Sequence, residues 1–543
     1  MASLHGGQII ARALRTEGVD TVFTLTGGHI LPILDGCVLE GIRVIDVRHE
    51  QSAAHAAEAY TRLTGKLGVA VVTAGPGVTD TVTGVASAYY AGVPMLVIGG
   101  RHYIRQELRG GLQEMDHPRL FHSITGWAAT AWQTDRLADY VAAAARHAFS
   151  GRGQPVFLDV PLEVLAEMLP EESVDFGTRY RTGEPVGADV DQLRRAAQLL
   201  GESDRPVVFA GGGLRPAGAA ALLPFVEALR APVYLNGAAR GALPHGHPLL
   251  GKRSRKVAFA GADLVLALGV DWDFRTGYGK AIGPDATVIQ VDADATKIGW
   301  NRPVDLGITA DPARFLELAI GEAEAFAPTE LPAWTTEIMA AEEAANAAVA
   351  EAAESAESPI HPERFAREVA DFFGRDAIVA VDGGDIVSTT ASWLQVSHAG
   401  HVLDPGPFGT LGTGAPFALA AKALFPEKLV GIVYGDGGFG FNGMEFDTFI
   451  RLGLPVIGIV GNNGVWGNIK TIHRTMFPDR LVASDLGIRP YHAMVEALGG
   501  YGEFVDQPDE IRPALERAAT SGLPSLINVH VAEVMRLGSI YSM

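Results

Sequence analysis

The chain is almost without cysteine: Cys37 stands alone among 543 residues. That excludes a disulfide framework and any cysteine-based zinc or iron–sulfur site. Long apolar runs are missing too. None reaches the roughly 18 residues that mark a membrane span, so no membrane partner is expected. The opening residues, Met1-Ala2-Ser3-Leu4-His5-Gly6, carry no basic segment followed by an apolar core, and no secretory signal is expected there. Positive charge is scarce, with 43 Lys and Arg against 63 Asp and Glu and a net charge of −20. A general nucleic-acid or anionic-membrane binder is therefore not expected. The expectation left standing is a soluble, acidic, cytoplasmic protein. Apolar residues are plentiful at 48 %, and so is glycine, with 65 residues. The glycine share is about 12 % where about 7 % is usual, and it falls beside apolar runs rather than in linker tracts. At about 150 residues per domain the length suggests three or four domains.

Short apolar runs alternate with alanine-rich, helix-length stretches. Segments 69–73, 95–98 and 156–160 read as buried strands bounded by Gly or Pro. That alternation predicts an α/β protein built on doubly wound parallel sheets. The run ending in Gly75-Pro76-Gly77 has a counterpart ending in Gly435-Asp436-Gly437. Gly92-Val93-Pro94 is echoed by Gly453-Leu454-Pro455, and the strand from Pro155 by that from Pro524. The offsets are 360, 361 and 369 residues, in one order, which favours two copies of one module over chance likeness. A third unit lies between them, with strands at 206–210, 232–235, 264–268 and 288–291. The Ala- and Glu-rich stretch around 342–351 predicts a surface helix, broken at Ser355-Ala356-Glu357-Ser358-Pro359. The expected organisation is three domains, 1–180, 186–340 and 361–543, with 341–360 as linker.

Gly435-Asp436-Gly437 closes one predicted strand, and Asn462-Asn463 closes another after 24 intervening residues. Both belong at the carboxyl edge of a parallel sheet, where doubly wound folds bind ligands. Asp and Asn offer hard oxygen donors suited to Mg²⁺ or Ca²⁺. Gly437 and Gly438 let backbone N–H groups approach a phosphate. The pattern reads as a diphosphate held through a divalent cation; a strand-end Asp and a turn Asn-Asn without metal is the plainer reading.

This spacing resembles the motif of thiamine diphosphate enzymes, and the resemblance covers the whole chain. It implies pyrimidine-binding, central and diphosphate-binding domains, the outer two alike. It implies Mg²⁺ on Asp436, Asn463 and the backbone carbonyl of Val465. It implies diphosphate contacts from Gly437, Gly438 and the Gly383-Gly384-Asp385 loop. Arg48-His49-Glu50-Gln51 follows a short strand, where the family carries its catalytic Glu. That carboxyl hydrogen-bonds the aminopyrimidine N1′, a role that needs a desolvated acid with a near-neutral pKa. Taken alone, Glu50 also reads as a solvated acid at a helix N-terminus. In Phe408-Gly409-Thr410-Leu411-Gly412 the resemblance gives Gly409 a carbonyl contact to the aminopyrimidine, and Leu411 the wedge that bends the cofactor. It further implies a homodimer or homotetramer in which Glu50 of one chain meets Asp436 of another.

The reaction is less directly marked. His29 sits in a Gly turn, where it either faces the site or bonds locally. Gly111-Leu112-Gln113-Glu114 resembles a loop of acetolactate synthases and 2-hydroxyacyl-CoA lyases in which a Gln approaches the cofactor, here Gln113. The stretches 403–412, 435–445 and 524–529 look closest to 2-hydroxyacyl-CoA lyases and oxalyl-CoA decarboxylases. Leu112 and Gln113 differ from the Tyr and Glu of the decarboxylases, which argues against oxalyl-CoA. Lys252, Arg253 and Arg255 lie in a cationic cluster that suits the phosphates of an acyl-CoA, or is a solvated helix face. Phe408, Val465 and Trp466 are further pocket candidates. Ser539 and Tyr541, in the tail, are candidates to close over the acyl-CoA, and a frayed terminus is the alternative. Ala210-Gly211-Gly212-Gly213 lacks the G-x-G-x-x-G pattern, which favours ADP or an empty central domain over FAD. The function implied is a lyase cleaving a 2-hydroxyacyl-CoA to an aldehyde or ketone plus formyl-CoA. The alternatives are an acetolactate synthase-like carboligase acting on pyruvate, an oxalyl-CoA decarboxylase, and a non-catalytic cofactor-binding paralogue.

Overall fold

A computed structural model describes residues 3–177 and 180–534. Ser539 and Tyr541 lie outside the described residues. Three six-stranded sheets carry the fold, and every strand pair within them is parallel.

The N-terminal sheet runs, edge to edge, Arg43–Asp46, Thr21–Leu25, Gly68–Val72, Met95–Arg101, Pro155–Pro161 and Trp127–Thr130. The C-terminal sheet runs Val402–Leu403, Ile378–Asp382, Val430–Gly435, Ile457–Asn462, Ser525–His530 and Tyr501–Val505. Numbered along the chain, both follow the order 2-1-3-4-6-5. The three sequence echoes fall on strands 3, 4 and 6 of each sheet, so the internal repeat is a repeat of topology. The central sheet differs. Its order, Leu250–Gly251, Val233–Leu235, Pro206–Ala210, Leu264–Leu268, Thr287–Asp292, Leu306–Thr309, is 3-2-1-4-5-6, an order common in nucleotide-binding sheets.

The middle strands are buried along their whole length, as in Gly68–Val72 and Val430–Gly435. Their near-continuous Val, Ile and Ala runs follow from helices covering both faces. The helix Glu50–Thr64 shows how closely the layers pack. Its His49 cap accepts the Gln51 N–H at 3.1 Å, and Gly65 ends it at φ 71°. A Cβ on Gly68 would stand 1.9 Å from the Ala57 carbonyl oxygen, so only glycine lets that strand lie under the helix.

By contact the chain forms two compact units. One comprises Met1–Gly183, Pro405–Leu424 and Asn442–Leu452; the other comprises Glu184–Asp404, Phe425–Phe441 and Gly453–Met543. The expected surface helix is longer and less exposed than composition suggests. It spans Ala333–Ala353, and Glu342 within it is buried, accepting the backbone N–H groups of Arg253 and Ser254. Its alanines hide a carboxylate that caps another segment, which no propensity scale registers.

Cys37 lies in the helix Leu31–Leu39, fully buried, and burial pushes its thiol up to about 12. Iodoacetamide at mildly alkaline pH is therefore expected to leave the native protein unlabelled and to add one adduct on unfolding, read by intact mass. No helix among the described residues is long and apolar enough to cross a membrane.

Candidate functional site

In the C-terminal sheet the neighbouring strands Ile378–Asp382, Val430–Gly435 and Ile457–Asn462 deliver residues 383–385, 436–438 and 463–466 to one edge. Asp436 is 3 % exposed. Its Oδ1 accepts the Gly437 N–H at 3.0 Å, while Oδ2 is buried with no hydrogen-bond partner. Burial pushes this carboxyl up to about 6, and the nearby Asp385 adds to the rise against the backbone N–H groups of Gly437 and Gly464. Asn463 is buried beside it. Its Nδ2 donates to Asp385 Oδ2 at 3.2 Å, and its Oδ1 accepts the Val465 N–H at 3.3 Å. Leaving a buried acceptor unpaired costs about 1–3 kcal/mol. An orphaned carboxylate oxygen among other oxygen donors is the chemistry of a hard divalent cation. The residues present fit Mg²⁺.

The glycines of this edge serve the protein more directly than expected. A Cβ on Gly437 would meet the Trp466 ring at 2.2 Å, and one on Gly438 the Asp382 carbonyl oxygen at 2.7 Å. Gly383, at φ 145°, would meet the Gly435 nitrogen at 2.8 Å, and Gly384 the Asn468 amide at 2.8 Å. Three loops thus close on one another through missing side chains. The Gly437 N–H, expected to face a phosphate, here donates to Asp436.

In the N-terminal sheet Glu50 is the first residue of its helix and only 8 % exposed. It is not the solvated acid that position alone suggests. Burial raises its pKa above the ordinary carboxylate range; Asp80 adds to the rise, while its own backbone N–H and His49 oppose it. The preceding chain is held within the same unit. Arg48 N–H donates to the buried Glu445 at 3.0 Å, and Arg451 pairs with Asp46 at 3.0 Å. His29 is buried, with Nδ1 3.2 Å from Thr73 Oγ1, and burial lowers its pKa. So it bonds locally and also lies at the sheet's carboxyl edge. Gln113 takes φ 60°, uncommon for a residue with a side chain, and packs against Gly75. Leu112 is 73 % exposed.

The segment 405–412 belongs to the same unit. Phe408 stacks on Tyr90 with centroids 5.3 Å apart and planes 9° apart. Gly409 has φ 67°, Leu411 is half-buried, and the Gly412 carbonyl accepts from Asn442 at 2.6 Å.

The cationic cluster divides. Lys252 is exposed as a residue, yet its Nζ donates to the Leu394 carbonyl at 2.9 Å. Burial of that ammonium, with Arg240 and Arg253 near, pushes it down to about 8. Arg253 is spent on Asn346 at 3.0 Å, Ser392 at 3.3 Å and the Trp393 ring. Arg255 lies over the Phe209 ring at 5.8 Å, half-buried, with no carboxylate partner among the described residues. Burial lowers its pKa, and Arg240 lowers it further. Asp292, a strand-end acid, accepts the Asp294 N–H at 2.9 Å as a turn residue would.

Several groups at these edges escaped sequence reasoning: Thr73, Asp80, His117 and Asp159. Asp159 alone carried a signal, as a single charge inside the otherwise apolar strand Pro155–Pro161.

Comparison with known proteins matches three family models along the chain. The N-terminal TPP binding domain of thiamine pyrophosphate enzymes matches residues 4–120, the central domain 193–318 and the C-terminal TPP binding domain 382–529. A protein of Mycobacterium bovis named probable acetolactate synthase is 39 % identical over 97 % of this chain and 96 % of its own. The 2-hydroxyacyl-CoA lyase 2 of Caenorhabditis elegans is 35 % identical over 99 % of this chain and 91 % of its own. The human protein of that name is 33 % identical over 99 % of this chain and 92 % of its own. With three parallel α/β sheets in the matching order and a cluster of oxygen donors at the C-terminal sheet's edge, the chain belongs to the thiamine pyrophosphate enzyme family.

Proposed function

We propose that the protein is a carbon–carbon lyase that cleaves a 2-hydroxyacyl-CoA to an aldehyde or ketone and formyl-CoA, reversibly. Thiamine diphosphate, when bound, would supply a carbanion able to add to a carbonyl and a cationic ring able to take up the electron pair of the broken bond. Asp436, Asn463 and the Val465 carbonyl hold Mg²⁺; Gly383, Gly384, Asp385, Gly437 and Gly438 line the diphosphate. Gly437 N–H, which donates to Asp436 here, would be the backbone donor nearest the metal-binding carboxylate for a phosphate oxygen. Glu50, kept protonated to higher pH by burial, holds a proton against the aminopyrimidine nitrogen. Gly409 and Leu411 fix the cofactor's bend, and His29 and Gln113 face the substrate. Leu112, Phe408 and Trp466 border the acyl group. The active enzyme is a homodimer or homotetramer in the cytoplasm, with Glu50 of one protomer serving the cofactor on Asp436 of another.

The observation that carries the CoA substrate is Arg255, a half-buried guanidinium without a carboxylate partner among the described residues. A guanidinium without a carboxylate partner among the described residues is suited to a phosphate ligand. Lys252 and Arg253, tied to carbonyl and side-chain oxygens, frame it. Bound ADP in the central domain would use the same charge.

A second reading is an acetolactate synthase-like carboligase acting on pyruvate, favoured by the 39 % identity to the mycobacterial protein. The test supplies thiamine diphosphate and Mg²⁺, then a panel of 2-hydroxyacyl-CoAs and pyruvate, with products read by mass spectrometry. Formyl-CoA is the expected product. Acetolactate, with a flavin absorption band in the purified protein, overturns the lyase in favour of the carboligase.

A further inference from the structure

Beneath the N-terminal sheet edge lies a buried chain of polar groups that the proposed chemistry does not use. His117 opens the short helix His117–Phe121 and is fully buried. Its Nε2 lies 3.0 Å from the Gly75 backbone nitrogen, and its Nδ1 lies 3.0 Å from Asp159 Oδ2. A backbone N–H can only donate, so Nε2 must present its lone pair. The proton then sits on Nδ1 and is donated to Asp159, so the two partners together select one neutral tautomer. Asp159 is fully buried and also accepts from Arg101 at 3.0 Å, which pairs in turn with Glu107.

Gly75 is the turn on which the edge hinges. Its φ of 60° and ψ of −112° start the helix Pro76–Asp80. Within that helix, the Cβ position of Gly77 lies 3.3 Å from Glu50 Oε1 and 2.8 Å from the Thr73 side chain, whose Oγ1 meets His29. Asp80, at its end, is one of the charges acting on Glu50. On the other side, the Cβ position of Gly75 lies 2.7 Å from Gln113 Cβ, four residues before His117.

We infer that His117, oriented by Asp159, is a positioning residue: its Nε2 holds the Gly75 turn and so sets Glu50 and Gln113 in place. This rests on the proposed roles of Glu50 and Gln113. Core packing alone would make the imidazole's volume matter; positioning makes its acceptor matter.

Three variants separate these. His117→Leu keeps bulk without an acceptor. His117→Asn keeps a group near Asp159 but falls short of Gly75. His117→Gln carries an amide oxygen that reaches Gly75. In the cofactor-free protein, amide hydrogen exchange in residues 73–80 is expected to speed up about tenfold or more in the Leu and Asn variants, as loss of a buried hydrogen bond requires, and to return near wild type in Gln. In the holoenzyme, exchange of the C2 proton of bound thiamine diphosphate, which needs no substrate, is expected to follow the same pattern, slowed about tenfold in Leu and Asn. Unchanged amide exchange in the Asn variant, or a Gln variant as damaged as Leu, overturns the inference. Glu50→Gln is run in parallel. If it leaves C2-proton exchange unchanged, the reading of Glu50 fails, while the amide exchange still judges the His117–Gly75 bond.

Discussion

Glu50→Gln lowers turnover by about 10²–10⁴-fold, the usual worth of a placed proton-transfer group, with thiamine diphosphate binding largely intact. The reasons lie in the side chain's surroundings. Glu50 is 8 % exposed at the first position of its helix, and burial holds its pKa above the ordinary carboxylate range. Gln matches its shape, so the helix start and the packing against Gly77 survive. What is lost is an acidic proton that can be given up and taken back. A structural role would cost melting temperature and leave kcat alone; the catalytic role does the reverse. The check is kcat at saturating cofactor and Mg²⁺, beside a cofactor titration. Turnover within about twofold of wild type would falsify the assignment.

Asp436→Asn should separate stability from binding, moving them in opposite directions. Without metal, Asp436 is a buried carboxyl with one orphaned oxygen, pushed up from 3.8 to about 6. A carboxyl whose folded pKa is raised destabilises the fold when ionised. That penalty is full above about pH 6 and relieved as pH falls toward 4. It is on the order of 3 kcal/mol at most. Asn keeps an oxygen for the Gly437 N–H but carries no charge. The metal-free variant is therefore expected to melt at or above wild type near pH 7, with a flatter pH dependence below. Magnesium-dependent cofactor binding falls by about 100-fold or more, since a first ligand should outweigh the 10–100-fold effect of an outer-shell partner. Calorimetry of the metal-free proteins and a cofactor titration at fixed Mg²⁺ measure the two arms. A variant that binds cofactor normally, or melts well below wild type, refutes a metal role for this carboxylate.

The sequence was informative where chemistry is local. The strands around Gly75 and Gly435, the matched order of three strand–turn signals and the spacing from Asp436 to Asn463 are contiguous patterns. A doubly wound sheet turns such patterns into geometry, because the carboxyl ends of adjacent parallel strands share one edge. Glu50 was reachable by resemblance alone, since a Glu after a short strand is ordinary; burial is what distinguishes it. The pairing of His117 with Asp159 was out of reach. They stand 42 residues apart, and their meeting depends on strand pairing that no local pattern encodes.

The glycines mark the same division. Their abundance and their place at strand ends are properties of the sequence, as are the class of fold, its internal repeat and the oxygen-donor character of the C-terminal motif. What each glycine is for was decided by the tertiary structure. Gly437 admits the Trp466 ring, Gly438 the Asp382 carbonyl and Gly68 the Ala57 carbonyl. The cationic run from Lys252 to Arg255 was likewise visible as charge, but only packing spends Lys252 and Arg253 on protein oxygens and leaves Arg255 over Phe209. Composition and spacing act through short-range chemistry that a chain carries wherever it lies. Burial, orphaned acceptors and shifted proton affinities arise from neighbours brought in from far along the chain, and exist only once the sheets are assembled.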